Sequence, residues 1–364
     1  MLRRLLNLTV VLALSQGVAA LAAPRLKVLK LAVTNPGTAP RLSENIVLSV
    51  AELKKIAPDF SPSSAILVCT DTATVEDDAR VLQTTELVSQ ADDIDGDRTL
   101  DEIAFQIPLQ PGQTKIVTIA YGEAQTIARL RVNHPARTYA KFTMKFDGPA
   151  WESEETAWRL YFDKRNAIDL YGKRRPGLYL DLFATPEYVY HAESPLARDI
   201  YLIGKGLGIG SVGALVNGRP EGVADVADRQ YRIVATGPVR AIVEITYKDW
   251  KIGGRAVNLV SRFTQWAGER GFDHQVTAKG AEGLTLVATL PKKPGTADLN
   301  RPLDGAADVR VVTTWGPQVV EQGTNAGTRD LPNENLGLAL LVFGTGDGKA
   351  GAAQPDPANH LVPV

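Results

Sequence analysis

Residues 151–191 read WESEETAWRLYFDKRNAIDLYGKRRPGLYLDLFATPEYVYH. No other window of the chain gathers so many aromatic, cationic and anionic side chains. Its first half carries a short strand, Trp158-Arg159-Leu160-Tyr161-Phe162-Asp163. Side chains alternate faces along a strand. Trp158, Leu160 and Phe162 therefore share one apolar face, which belongs in a core. Arg159, Tyr161 and Asp163 share the other, and Arg165 extends that polar face if the strand runs on. Such a face fits a ladder of surface ion pairs, each worth little. It also fits the floor of a groove for an anionic, hydroxyl-rich ligand. Arg offers a fork to a carboxylate, and Tyr and Trp offer flat apolar faces with polar tips.

Outward from this window the period-two pattern persists. Lys27–Val33 alternates and meets the turn signal Asn35-Pro36-Gly37. Ile46–Ala51 and Ser64–Thr70 are further strands, with one helical turn over Glu52–Ile56. Glu102–Leu109 and Gln113–Ala120 read as a hairpin across Gln110-Pro111-Gly112. Residues 25 to about 122 thus form a small β-sandwich. Thr126–Arg137 bridges to a second domain that opens at Arg137. There Tyr231–Thr236 and Val239–Trp250 read as a long hairpin, with Val239, Ala241, Val243, Ile245 and Tyr247 on one face. Ala256–Trp266, Leu284–Leu290, Val309–Trp315 and Leu336–Phe343 are more strands. Their length points to wide sheets packed face to face. Gly323–Asn333 and Gly344–Ala358 read as polar loops, and Leu361–Val364 as an apolar tip with no clear final element. The fold class is all-β. The domains are 23–125, an N-terminal β-sandwich, and 126–364, which carries the candidate site.

The first 22 residues stand apart. A charged start, Met1-Leu2-Arg3-Arg4, precedes the mostly apolar Leu5–Leu21, and Ala20-Leu21-Ala22 supplies an A-x-A cleavage site. This is the form of a secretory signal peptide. It predicts a periplasmic or secreted protein whose mature chain starts near Ala23, with no membrane anchor after cleavage. The remaining length is roughly two domains' worth. Net charge is −1 and no basic stripe exists, which argues against a nucleic-acid partner. Cys69 is the sole cysteine, so an intrachain disulfide and a multi-thiol zinc site are excluded. Its apolar surroundings predict a buried, inert thiol.

Three patterns invite a chemical reading. Asp93-Ile94-Asp95-Gly96-Asp97 followed by Asp101 places carboxylates at the first, third, fifth and ninth positions of a tight loop. That spacing resembles the calcium loops of integrin-type propeller hairpins and offers the oxygen-rich set a hard cation needs. An acidic solvated turn is the alternative; in either case the loop is a structural staple. Gly208, Gly210 and Gly213 spell G-x-G-x-x-G. The surroundings are β throughout, so they read as sites of close backbone approach rather than a dinucleotide fingerprint. Of four histidines, His360 lies in the tail and His274 alternates with apolar residues as a structural partner. His134 precedes Pro135 and the cationic start of the second domain. His191 closes Glu187-Tyr188-Val189-Tyr190-His191 at the end of a window rich in Tyr, Asp and Arg, and histidine is the natural proton shuttle near neutral pH. No zinc-binding histidine spacing and no G-x-S-x-G elbow occur.

These residues carry a family resemblance. Arg137-Thr138, Ala140-Lys141-Phe142, Trp151-Glu152, Arg159, Tyr161, Arg165-Asn166, Asp169, Gly172-Lys173, Tyr190-His191, Asp199, Tyr201, Gly204, Gly208, Gly210 and Gly213 resemble the bacterial domain-of-unknown-function family numbered four-eight-six-one. The likeness covers most of the mature chain. After Tyr190-His191 the family tends to carry an acidic or Trp-Gly segment, where this chain has Ala192–Arg198. The resemblance implies a β-supersandwich of the galactose-mutarotase and lyase type behind the N-terminal domain. It also implies export and a role in loci that degrade acidic polysaccharides. It does not fix a reaction.

The expected function is elimination, by a lyase or dehydratase, on uronate-containing oligosaccharides, with no cofactor for the chemistry. Elimination needs a base, a cation for the developing enolate and an acid for the leaving oxygen. His191 or Tyr190 would be base or acid. Arg165, Arg159 or Lys173 would neutralise the carboxylate. Trp151, Glu152, Arg159, Tyr161, Asp163, Lys141 and His134 would contact the sugar. The alternatives are a hydrolase with Glu152 and Asp163 as its carboxylate pair, an epimerase, or a non-catalytic sugar-binding protein with Trp151 and the tyrosines as stacking surfaces.

Overall fold

A computed structural model describes residues 26–74, 80–204, 206–299, 309–321, 328–344, 351 and 354–364. The expected signal peptide lies outside these residues. The described chain is built almost wholly of antiparallel β-sheets, as the alternation predicts. It divides into two compact units. One runs to Ala136 and includes the hairpin tip Val234–Arg240. The other takes Arg137–Ile233 and Ala241–Val364.

The N-terminal unit is a sandwich of two sheets. Lys27–Thr34, Thr114–Tyr121, Ala65–Thr74 and Arg80–Glu86 make one, and Arg41–Ser49, Glu102–Leu109 and Ser89–Asp92 make the other. Leu29, Leu31, Leu67, Val117 and Ile119 face Ile46, Ile103, Phe105 and Ile107 in one core, which also buries Cys69. The expected hairpin of Glu102–Leu109 with its successor is corrected here. The two strands lie in opposite sheets, and the chain crosses the core edge at residues 110–113. Buried Asn35 holds that crossing. Its side-chain amide donates to Ala39 O (2.9 Å) and Gln110 O (3.1 Å), and its backbone N–H donates to Gln113 O (2.9 Å). A buried amide of this kind stabilises only when its hydrogen bonds are made. The domain boundary also moves. The helix Ala124–Leu130 buries Ile127 with Ile66 and Ala120, so the N-terminal unit extends past residue 125 to Ala136.

The second unit holds the 151–191 window. Its five-stranded sheet has the order Ala197–Asp199, Ile168–Lys173, Thr156–Leu160, Gly148–Ser153, Thr138–Thr143. One face presents Trp151, Trp158, Leu160, Ile168 and Leu170 to the largest core of the molecule. Phe162 packs against the same core, as the alternation predicts. The long strands Arg240–Ile252 and Arg255–Trp266 supply Val243, Ile245, Tyr247, Val257 and Phe263 to that core. The apolar C-terminal tip does form an element. Asn359–Pro363 pairs with Thr285–Pro291, and Leu361 and Val362 are fully buried. Its isolation in sequence hid a partner some 68 to 76 residues upstream.

The opposite face of the five-stranded sheet is the one expected to meet solvent. It is buried. The register pairs Arg159 with Asp169, Ala157 with Tyr171 and Glu152, and Tyr171 with Asp199, so these side chains share that face. A second, smaller core covers it: Phe146, Leu180, Phe183 and Tyr190 pack on Ala150, Ala157 and Tyr171. The window folds over its own strands, and the helix Leu180–Ala184 forms part of the cover.

Candidate functional site

The strand carrying Arg159 ends at Leu160, three residues earlier than the alternation suggests. Asp163-Lys164-Arg165-Asn166 turns the chain back. Asp163 Oδ1 accepts the Arg165 N–H (2.8 Å), Asn166 takes a left-handed backbone (φ 45°), and the Tyr161 N–H donates to Ala167 O (3.0 Å). Asn tolerates that conformation better than most residues. Arg165 therefore does not extend a strand face. It folds back from the turn so that its guanidinium lies 3.8 Å from the centre of the Tyr161 ring. Asp163 and Asp147 (3.3 Å) flank it, and its side chain remains 50 % exposed.

Beneath Tyr161 lies Arg159, only 3 % exposed. Its guanidinium donates to Asp169 Oδ2 through Nε (3.0 Å) and Nη2 (2.7 Å), to Asp199 Oδ2 through Nη2 (3.4 Å) and to the Tyr190 hydroxyl through Nη1 (3.3 Å). It also donates to the Tyr161 hydroxyl, which itself donates to Asp169 Oδ2 (3.2 Å). Two buried carboxylates thus share one cation. Burial, and next the charge of Asp199, lift Asp169 to about 6 against the pull of Arg159. Burial likewise raises Tyr161 and Tyr190, so both phenols stay protonated near neutral pH.

His191 closes the cluster. Its Nδ1 lies 3.2 Å from Asp199 Oδ2, off the N–H line, and so within ion-pair reach but without a hydrogen bond. The Tyr190 and His191 rings are 4.4 Å apart. The Tyr190 hydroxyl donates to Lys145 O (2.9 Å), and the Asp199 N–H donates to Tyr190 O (2.8 Å). Lys145 in turn donates to Thr185 O and to Tyr188 O (2.7 Å), which ties the covering segment to the sheet. The His191 side chain is 17 % exposed, so the cluster reaches solvent there and at Arg165.

The structure brings together six of the expected residues: His191, Tyr190, Arg159, Tyr161, Asp163 and Arg165. It takes others elsewhere. Lys173 is corrected from a catalytic cation to a buried structural one. Its three donors are spent on Glu152 Oε2 (2.5 Å), Ser153 O (2.6 Å) and Gly177 O (2.7 Å). Glu152 is fully buried and accepts the backbone N–H groups of Tyr179 and Leu180 (both 2.9 Å) as well. It cannot reach a sugar or pair with Asp163 as a hydrolase dyad. Burial works against both charges, raising Glu152 and lowering Lys173. Trp151 is corrected too. It is fully buried and stacked 4.6 Å from Phe263, so it is a core residue and not a platform for sugar rings. Lys141 shares the Arg159 face of the sheet but pairs with Asp181 (2.7 Å) of the covering helix. His134 belongs to the N-terminal unit, outside the unit that holds the rest.

Asp169, Asp199 and Asp147 were missed as site residues. Asp169 did leave a signal: it interrupts the apolar strand Ile168-Asp169-Leu170-Tyr171. An acid at a strand position flanked by core residues needs a buried cation.

The other motifs lie outside this cluster. An added Cβ at Gly208 (φ 102°) would lie 2.4 Å from Ile168 N, so that glycine permits close backbone approach. His274 bridges Gly210 O (2.9 Å) and Ser261 Oγ (3.0 Å), and burial lowers it to about 4. Asp93, Asp95 and Asp101 bring carboxylate oxygens within 4.8 Å of one another, while Asp97 accepts the Thr99 N–H (2.6 Å). Asp93 and Asp101 also accept loop N–H groups, so the loop closes on its own hydrogen bonds.

Residues 33–362 match the family described as Domain of unknown function (DUF4861), and the chain belongs to it. No curated protein and no solved structure matches the sequence.

Proposed function

We propose that this member of the family is an exported carbohydrate-active enzyme that acts on uronate-containing oligosaccharides by elimination, as a lyase or dehydratase. One observation carries the reading: His191 stands partly exposed against buried Asp199, beside the Tyr190, Arg159 and Tyr161 network. Elimination beside a uronate carboxylate needs a proton acceptor, a cation and a proton donor. His191 is the acceptor, because it is the imidazole of the cluster and its side chain reaches solvent. Arg165 is the cation for the uronate carboxylate. Arg159 is saturated by Asp169 and Asp199, whereas Arg165 is half exposed and bound only at the surface. Tyr190, held protonated by burial, takes the part of the acid and not of the base. The cluster orients these groups through bonds to both strands of the hairpin and to the cover, which is the preorganisation catalysis requires.

The second reading, a non-catalytic sugar-binding protein, is favoured by the full commitment of Arg159, Lys173 and Glu152 to protein partners. Incubation with uronate oligosaccharides separates the two. Elimination creates a conjugated double bond and a rise in ultraviolet absorbance. Binding alone gives saturable affinity and a flat absorbance trace, and that outcome would remove the lyase reading.

A further inference from the structure

The two buried carboxylates are held differently. Asp169 Oδ2 receives Arg159 Nε and Nη2 and the Tyr161 hydroxyl, and its Oδ1 receives the Leu170 N–H (2.8 Å). Asp199 Oδ1 receives the Tyr201 N–H (3.0 Å), while its Oδ2 has the longer contact to Arg159 (3.4 Å) and faces His191 Nδ1 at 3.2 Å. We infer that Asp199 is the positioning residue of His191, selecting the imidazole tautomer with its proton on Nδ1 and leaving Nε2 as the free, proton-accepting nitrogen.

Valence decides the tautomer. An ionised carboxylate only accepts, and a neutral imidazole has one N–H and one lone pair. A lone pair on Nδ1 would point at the oxygen of a buried anion, whereas a proton there is attracted to it. Nδ1 is itself buried, so water does not satisfy it in place of Asp199. Among the described residues Nε2 has no hydrogen-bond partner, so it is free to meet a ligand. The Nδ1–H direction misses Oδ2 in this structure, although the two atoms lie within hydrogen-bonding distance. Catalytic hydrogen bonds are commonly misaligned before substrate binds and tighten in the complex. The backbone bond from the Asp199 N–H to Tyr190 O (2.8 Å) ties Asp199 to the residue next to His191. That Nε2 then takes the substrate proton rests on the elimination reading; the tautomer itself does not.

The test needs no substrate. Long-range proton–nitrogen correlation spectra of the whole chain, with isotope-labelled histidine and at a pH where the rings are neutral, report which nitrogen of each ring carries the proton. The His191 signals are assigned by their loss in His191→Ala. The expected result is a proton on Nδ1 in the wild type and in Asp169→Asn. In Asp199→Ala the signals should move toward the Nε2–H form that free imidazole side chains prefer. A wild-type His191 in the Nε2–H form overturns the assignment, and so does an Asp199→Ala spectrum identical to wild type. If Asp199→Ala does not fold, the wild-type spectrum decides alone. A wild type that shows the Nδ1–H form but produces no double bond upholds Asp199 and sinks the elimination reading. A wild type that eliminates while His191 carries its proton on Nε2 sinks only the Asp199 assignment.

Discussion

One face of one sheet carries two buried ion clusters, and they are finished differently. At Lys173 and Glu152 every strong donor meets a protein acceptor, and the helix Leu180–Ala184 seals the pair from water. At Arg159 the charges are as deeply buried, but the cluster runs out to solvent through His191 and Arg165. A closed pair fixes the cover in place. An open one leaves groups whose last partner is supplied from outside. The same residue types thus serve the fold in one place and supply a candidate for chemistry in the other. What separates them is whether the covering segment is complete above them.

The largest expected effect breaks the closed cluster. Lys173→Met leaves Glu152 buried without its cation and should cost about 3–5 kcal/mol of stability, as loss of one partner of a buried pair does. Adding Glu152→Gln should recover part of that loss, because it removes the unpaired charge while its amide oxygen can still accept a backbone N–H of Tyr179 or Leu180. Denaturant unfolding measures both. A single variant as stable as wild type would mean that Lys173 is not closed off, and the contrast with Arg159 would collapse.

Next comes the open cluster. His191→Ala should keep its unfolding midpoint yet lose about a hundredfold or more in turnover on a uronate oligosaccharide, the scale of a lost proton-transfer group. A fall in stability with activity dropping only in proportion would make His191 one more structural residue, and the two clusters would be alike.

A smaller effect sharpens the comparison through pH. Burial lifts Asp169 from 3.8 to about 6, so within that interval the folded chain binds more protons than the unfolded one. Its contribution to stability is therefore full below the lower value and is lost as pH rises through the upper one. Asp169→Asn removes this dependence. The melting temperature of wild type should lose ground to that of the variant as pH rises across the window. A constant difference would show that Arg159 keeps Asp169 ionised throughout. The smallest effect lies in the other unit. If Asp93, Asp95 and Asp101 hold calcium, a tenfold excess of the ion over its Kd should add roughly 1.4 kcal/mol. Coincident melting curves with calcium and with chelator would leave the loop an acidic turn closed by its own hydrogen bonds.

Much of this was legible in the chain. Alternation placed Trp158, Leu160 and Phe162 in a core, and Ala241, Val243, Ile245 and Tyr247 on one buried face of a long strand. Asn35-Pro36-Gly37 announced a turn that the structure keeps. The window 151–191 did gather the candidate site, because Arg159, Tyr161, Tyr190 and His191 meet within it. The pairing of Glu102–Leu109, the fate of Trp151 and the partner of Lys173 were not legible. Each depends on which distant segment lies across the sheet.

The sequence by itself determined which side chains share a face, because alternation follows from the local geometry of an extended chain and needs no partner. It therefore settled the all-β class and put Arg159 and Tyr161 opposite Trp158 and Leu160. Only the tertiary structure decided what covers each face. It buried the polar side of the sheet under Phe146, Leu180, Phe183 and Tyr190, and it brought Asp169 and Asp199 to Arg159 through strand register. Burial and long-range pairing are properties of where segments meet, and a charge acquires its role from the partners that meeting supplies.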